Sequence, residues 1–128
     1  MATTINLEAP EKNFRMDQGS TFDEQFNLTQ ASVPLNMTGY TIRFQIRRTP
    51  TADAILSGTL ANGKIVWVDQ TLGQFRIILS ASDTANIGFI KSDDNVINAR
   101  YDIEITSPTG VVDKPVKGAW VMKREITR

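Results

Sequence analysis

The feature that most constrains this chain is alternation with a period of two. Tyr40, Ile42, Phe44 and Ile46 are apolar, while Thr41, Arg43, Gln45 and Arg47 between them are polar. Successive side chains of a β-strand point to opposite faces, so the pattern predicts a strand with one core face and one wet face. Ala99, Tyr101, Ile103 and Ile105 alternate with Arg100, Asp102, Glu104 and Thr106 in the same way. Phe75, Ile77 and Leu79 form a third stripe, where Ile78 interrupts the polar face and suggests a strand covered on both sides. Weaker stripes fill the gaps. Phe22, Phe26 and Leu28 share a parity with Glu24 as the misfit, and Phe14 and Met16 mark a short strand within Asn13 to Asp17. Leu56, Gly58 and Leu60 share a face, Ile65 and Trp67 lie opposite Val66 and Val68, and a last strand from Val116 to Lys123 aligns Val116, Gly118, Trp120 and Met122.

Turn chemistry separates these stripes. Asn62-Gly63 suits the positive-φ positions of a type I′ hairpin, and Thr71 to Gly73 forms the next turn, into the Phe75 strand. Ser107-Pro108-Thr109-Gly110 has Pro second and Gly fourth, as a type I turn prefers. Ser80 to Ile90 differs in kind: Ser82 or Asp83 caps one short helix or 3₁₀ turn near 81–88, Gly88 ends it, and the turn crosses between sheets. Lys91 to Asn98 reads as an exposed loop. Seven or eight short strands at roughly ten-residue spacing predict an all-β fold, an antiparallel sandwich or barrel. The expected organisation is an N-terminal arm over residues 1–12 and one domain over residues 13–128.

Composition narrows the function. The chain has 128 residues, enough for one core without covalent staples. It has no Cys and no His, which excludes a disulfide framework, Cys/His metal centres, a thiol nucleophile and a His general base. Lys plus Arg equals Asp plus Glu at 14 each, so no global field draws the protein to nucleic acid or an anionic membrane, and self-association is open to it. Met1-Ala2-Thr3-Thr4 does not begin a signal peptide, and the leading Met suggests a complete gene product. No apolar stretch approaches the length of a membrane span.

Each candidate for chemistry has a plainer reading. Asp93-Asp94-Asn95 offers hard oxygen ligands, but without the alternation of a calcium loop, and reads as a solvated loop open to a partner. Asp102 and Glu104 share a strand face, as an acid–base pair requires, but Arg100 and Thr106 flank them and make the face ordinary polar surface. Arg43, Arg47 and Arg48 form a local basic patch; Tyr40 and Phe44 point the other way, so pairing with Asp102 or Glu104, or a partner contact, fits better than nucleic acid. Gly118 marks a bulge or a close backbone approach. Trp67 and Trp120 share parity with aliphatic neighbours and read as core at least as well as interface anchors. Residues 1–12 carry little pattern beyond Ile5 and Leu7. They are either a frayed end or an arm that adds a strand to a neighbour's open edge. No catalytic residue, cofactor or metal site is expected.

Several blocks occur in a suggestive order: Phe22 to Phe26 after Gly19, Leu35-Asn36-Met37-Thr38-Gly39-Tyr40 leading into Arg43 to Arg47, Ile77 to Thr84, and Tyr101-Asp102-Ile103-Glu104-Ile105. Gly110-Val111-Val112, Gly118 and Glu125-Ile126-Thr127-Arg128 close the chain. From Gly19 to Arg128 the sequence resembles a group of small tailed-phage virion proteins, similar to the N-terminal module of upper-baseplate and tail-fibre-attachment proteins. The resemblance implies an immunoglobulin-like β-sandwich, no catalytic residues, and other virion proteins as partners, in multiple copies around a symmetry axis. Fibre-attachment proteins usually continue into a coiled coil or receptor-binding domain. This chain stops at Arg128, which implies a stand-alone copy that holds neighbouring subunits together. Tail or baseplate is the first expectation, and a capsid decoration protein bound to the major capsid protein is the alternative. A carbohydrate- or host-surface-binding module comes third, because most aromatics fall on core parity.

Overall fold

The computed structural model describes residues 2–6, 12–49, 54–87 and 96–124. Among the described residues ten strands run in chain order: β1 (Ala2–Asn6), β2 (Phe14–Asp17), β3 (Phe22–Gln30), β4 (Val33–Pro34), β5 (Thr41–Arg47), β6 (Ala54–Thr59), β7 (Ile65–Asp69), β8 (Gln74–Leu79), β9 (Val96–Thr106) and β10 (Val112–Lys123). One sheet has the order β1-β3-β8-β7, with β4 also on β3, and the other has the order β2-β10-β9-β5-β6. This is an all-β, immunoglobulin-like sandwich. β3, β8 and β7 fall in the B, E and D positions, and β10, β9 and β5 form the G-F-C sheet with β6 added beside C. The two N-terminal strands pair in parallel, β1 with β3 and β2 with β10, and every other pairing is antiparallel.

The alternating stripes face the space between the sheets. Ile42, Phe44 and Ile46 of β5 and Ala99, Tyr101, Ile103 and Ile105 of β9 are buried, as are Phe75, Ile77 and Leu79 of β8. Val116, Trp120 and Met122 of β10 complete the same core, with Phe22, Phe26 and Leu28 of β3 opposite. Trp67 is half-buried, packed edge-on against Phe75 with ring centroids 6.3 Å apart. β9 begins at Val96, so the segment expected as loop up to Asn98 gives its last three residues to a strand.

The turns depart from expectation in an instructive way. Asn62-Gly63 does not close a hairpin, because β6 and β7 belong to different sheets. Only Gly63 there has positive φ, and Asn62 Oδ1 accepts from the backbone N–H of Thr59 and Lys64, at 3.0 and 3.1 Å. An Asn side chain that caps its own loop stabilises a crossover as readily as a hairpin. The two-residue hairpin lies instead between β3 and β4, where Gln30 pairs with Val33 and both Ala31 (φ 51°) and Ser32 (φ 64°) are left-handed. Neither residue type favours that region, so sequence carried no signal for it.

Directly after β8 the chain makes a helical turn, α1 (Ala81–Ala85). Ser80 caps it, rather than Ser82 or Asp83, and Gly88 lies outside the described residues. Ser80 Oγ accepts from the Asp83 N–H and Asp83 Oδ2 accepts from the Ser80 N–H, both at 3.0 Å, a reciprocal capping box. Lys64 Nζ donates to the same carboxylate at 2.8 Å, tying α1 to the β6–β7 crossover. Thr84 is buried, donates to Ser20 O at 2.8 Å and accepts from the Gly19 N–H at 3.0 Å, which fixes α1 against the β2–β3 turn.

Two expectations follow. Replacing the strained pair, Ala31→Asn with Ser32→Gly, raises stability by about 1 kcal/mol, read as a higher urea midpoint; a lower midpoint contradicts the turn assignment. The hydrogen bond from Lys64, then that from the Ser80 backbone, holds the Asp83 carboxyl below its ordinary range. A lowered native pKa gives stability that is present above the unfolded value and lost as pH falls through the native one. Asp83→Asn is therefore less stable at pH 7, by about 0.5–1 kcal/mol, and the two proteins converge below about pH 4. A gap that persists at pH 2 contradicts this origin.

Candidate protein-binding surfaces

The N-terminal arm residue Ile5 lies in β1, with its backbone opposite Leu28 of the same chain. Leu7, Asp93 and Asp94 lie outside the described residues. The start of the domain is fastened to β10 and β9 next to Gly118. The Lys12 N–H donates to Lys117 O at 3.1 Å, the Ala119 N–H donates to Asn13 Oδ1 at 2.9 Å, and buried Tyr101 donates its hydroxyl to Lys12 O at 2.5 Å. A Cβ on Gly118 would lie 2.0 Å from Lys12 O. The expected close backbone approach is therefore real, and it lets residues 12–13 run on into β2 along the open edge of β10.

The outer face of the second sheet gathers the basic candidates. Arg43 sits opposite Glu104 in the β5–β9 register and reaches both of its carboxylate oxygens at 3.1 Å. Asp102, opposite Gln45, faces Lys114 Nζ at 3.6 Å. The two carboxylates that an acid–base reading requires are thus each held by a cation. Arg47 lies directly opposite Arg100 and donates Nη2 to Gln45 Oε1 at 2.7 Å. Arg48 lies beyond the end of β5. Arg43, Arg47, Arg100, Lys114 and Lys117 surround an open groove of about 610 Å³ with Asp102 and Gln45. Sequence reasoning placed Arg100 on this face but did not bring Arg100, Lys114 and Lys117 together with Arg43 and Arg47, because only the strand register does so.

A second surface was not anticipated. The loops after β4, β7 and β9 meet at one end of the sandwich. The Met37 N–H donates to Gln70 O at 2.9 Å, and a Cβ on Gly39 would lie 2.7 Å from Pro108 Cγ. Four of the six exposed large apolar side chains among the described residues lie on or beside these loops: Val33, Leu72, Val111 and Val112. The signal was present as Val beside Pro34 and a Val pair after Gly110, apolar residues where turns are normally polar.

Among the described residues no cluster of His, Cys, Asp or Glu has the makings of a metal site, and no helix is long and apolar enough to cross a membrane. No protein-family model matches the sequence, and no curated protein does. Among solved structures the chain is similar to the N-terminal domain of phage TP901-1 ORF48, with a TM-score of 0.51 at 13% identity over 97% of this chain and 96% of that one. It also matches the NK cell receptor Nkp44 at a TM-score of 0.43 and 10% identity, over 91% of this chain and 100% of that one. The first likeness establishes a shared fold, present in a phage protein; the second is too distant to add to it.

The fastening at Gly118 is open to measurement. Gly118→Ala costs about 1–3 kcal/mol, because the Lys12 carbonyl must move. Tyr101→Phe, which removes only the hydroxyl's hydrogen bond, costs about 1 kcal/mol. Chemical denaturation compares them, and a Gly118→Ala protein as stable as the wild type contradicts the close approach.

Proposed function

We propose that this protein is a non-enzymatic structural component of a tailed-phage virion, a tail, baseplate or fibre-attachment assembly protein that works by binding other virion subunits. The observation that carries the reading is the end-to-end likeness to the N-terminal domain of phage TP901-1 ORF48, which leaves almost nothing of either chain unmatched. The loop end supports it physically. Val33, Val111 and Val112 expose 63%, 65% and 57% of their surface, and apolar side chains on and beside touching loops suit burial against a protein partner. Repetition of such a contact around a symmetry axis makes weak single contacts add up.

Immunogold labelling of intact particles of a phage carrying this gene, with mass spectrometry of the same particles, tests the reading. Label at the tail tip is the expected result. Label spread over the head moves the protein to capsid decoration, and absence from the particles overturns a virion role. Val33→Asp with Val111→Asp keeps stability within about 0.5 kcal/mol of wild type, since both sites are exposed, and removes the protein from assembled particles. Normal incorporation of that variant contradicts docking through the loop end.

A further inference from the structure

Asn62 is the only asparagine of the chain with a glycine after it, and the crossover it occupies gives the pair a chemistry of its own. Glycine has no side chain to shield its backbone nitrogen. Both residues are exposed, and a Cβ built on Gly63 would meet nothing within 4 Å, so solvent reaches this peptide. The Asn62 side chain is held in one place above it. Its Oδ1 accepts from the Lys64 N–H at 3.1 Å, a bond that spans Gly63 and folds the side chain back over the Asn62–Gly63 peptide. The same oxygen accepts from the Thr59 N–H at 3.0 Å, and Nδ2 donates to Ser57 O at 3.2 Å. The Gly63 N–H makes a long contact with Leu60 O, at 3.4 Å. Two backbone donors on one carbonyl oxygen polarise its carbon and stand ready for negative charge developing on that oxygen. An amide nitrogen whose proton is loosely held therefore follows directly on an activated carbonyl carbon.

We propose that Asn62 is a self-modification site, at which the folded crossover converts asparagine to aspartate and isoaspartate. Hydroxide removes the Gly63 amide proton, and the nitrogen forms a bond to Asn62 Cγ. The carbonyl electron pair moves onto Oδ1, between the N–H groups of Thr59 and Lys64. Collapse of this oxyanion breaks the Cγ–Nδ2 bond, and Nδ2 takes a proton from water and leaves as ammonia. Water then opens the cyclic imide. Attack at Cγ gives aspartate, and attack at the former main-chain carbonyl gives isoaspartate, in which the main chain runs through Cβ and Cγ. Water and hydroxide are the only co-reactants. An unstructured chain must find this geometry at each attempt, whereas the folded loop holds it continuously. The products alter the crossover. Aspartate keeps its two donors but sets a carboxylate oxygen against Ser57 O, where the amide had donated. Isoaspartate lengthens the main chain next to Lys64, whose carbonyl accepts from Ile78 N and whose Nζ holds Asp83, each at 2.8 Å. Either product gives the neutral chain a net negative charge and loosens the connection between its two sheets.

The purified full chain, held at mildly alkaline pH and sampled over days, tests this. Peptide mass mapping locates the change, and labelling by isoaspartyl methyltransferase reports isoaspartate. A synthetic peptide spanning Ser57 to Ile65, in the same buffer, gives the rate without the fold. The expected result is loss of ammonia and then the acid form at residue 62, while the other asparagines stay intact. The folded chain is expected to convert at least about threefold faster than the peptide. Asn62→Gln, whose longer side chain closes the corresponding ring far more slowly, lowers conversion at this position by about tenfold or more. Asn62→Asp, the product without the ageing step, is expected to unfold at a lower urea midpoint than wild type, and aged wild type to shift the same way. An Asn62 that stays intact in the folded chain overturns the proposal. So does a peptide that converts as fast as the folded chain or faster, because the hydrogen bonds then restrain the side chain instead of activating it. Conversion of another asparagine ahead of Asn62 overturns it as well.

Discussion

Packing around one indole holds the two sheets together. Trp120 of β10 sits 4.9 Å from the Phe22 ring, 5.8 Å from Phe44, 6.1 Å from Tyr101 and 6.3 Å from Phe14, between ring centroids. Those rings come from β3, β5, β9 and β2, so one side chain touches both layers and three neighbours within its own sheet. Antibody-type sandwiches place an inter-sheet disulfide against a tryptophan at the centre of the core. With no cysteine in the chain, interlocked rings carry that connection here, mostly tilted or edge-on as ring quadrupoles prefer. The indole N–H has no hydrogen-bond partner among the described residues, a cost of about 1–3 kcal/mol. That cost is set against the apolar area the ring buries and the four aromatic contacts it makes, and the position tolerates the unmatched donor because the packing depends on the ring.

The N-terminal part of the chain follows from that core. Phe14 enters the ring cluster from β2, and β2 reaches its place only because Gly118 lets the Lys12 carbonyl approach β10. Tyr101 belongs to both arrangements, with its ring against Phe14, Phe44 and Trp120 and its hydroxyl on Lys12 O. Seating β2 and filling the core are therefore one event. The parallel pairing of β2 also covers an edge of β10 that would otherwise present unpaired backbone groups to other chains.

Parity was legible wherever one face of a strand is dry. The stripes on β5, β8 and β9 gave their buried residues correctly because water on one side and core on the other leave no second solution. Strand order was not legible, since parity states which side of a strand is buried and not which strand lies beside it. The turns show the same limit. Asn62-Gly63 carries the strongest hairpin chemistry in the chain and joins two sheets, while Ala31-Ser32, with none, closes the hairpin. Local propensity yields where tertiary pairing on β3 supplies more than the left-handed backbone costs. The basic groove failed to show for a related reason: Arg47 and Arg100 lie far apart in sequence, and only register sets them side by side.

The exterior divides by the same logic that orders the interior. Each sheet needs one dry face, and once Trp120 and its neighbours fill the space between the sheets, the outer faces and loop ends are free of packing duty. Where the outer face serves only solubility, charges pair across strands, as Arg76 does with Asp23 on the first sheet and Arg43 with Glu104 on the second. A departure from that economy stands out against it: valines exposed on and beside the touching loops at one end of the sandwich. They are not required by the core, and they make the isolated chain slightly less favourable in water. Apolar side chains that the fold does not need and the solvent does not favour are the feature on which the proposed docking of the loop end draws.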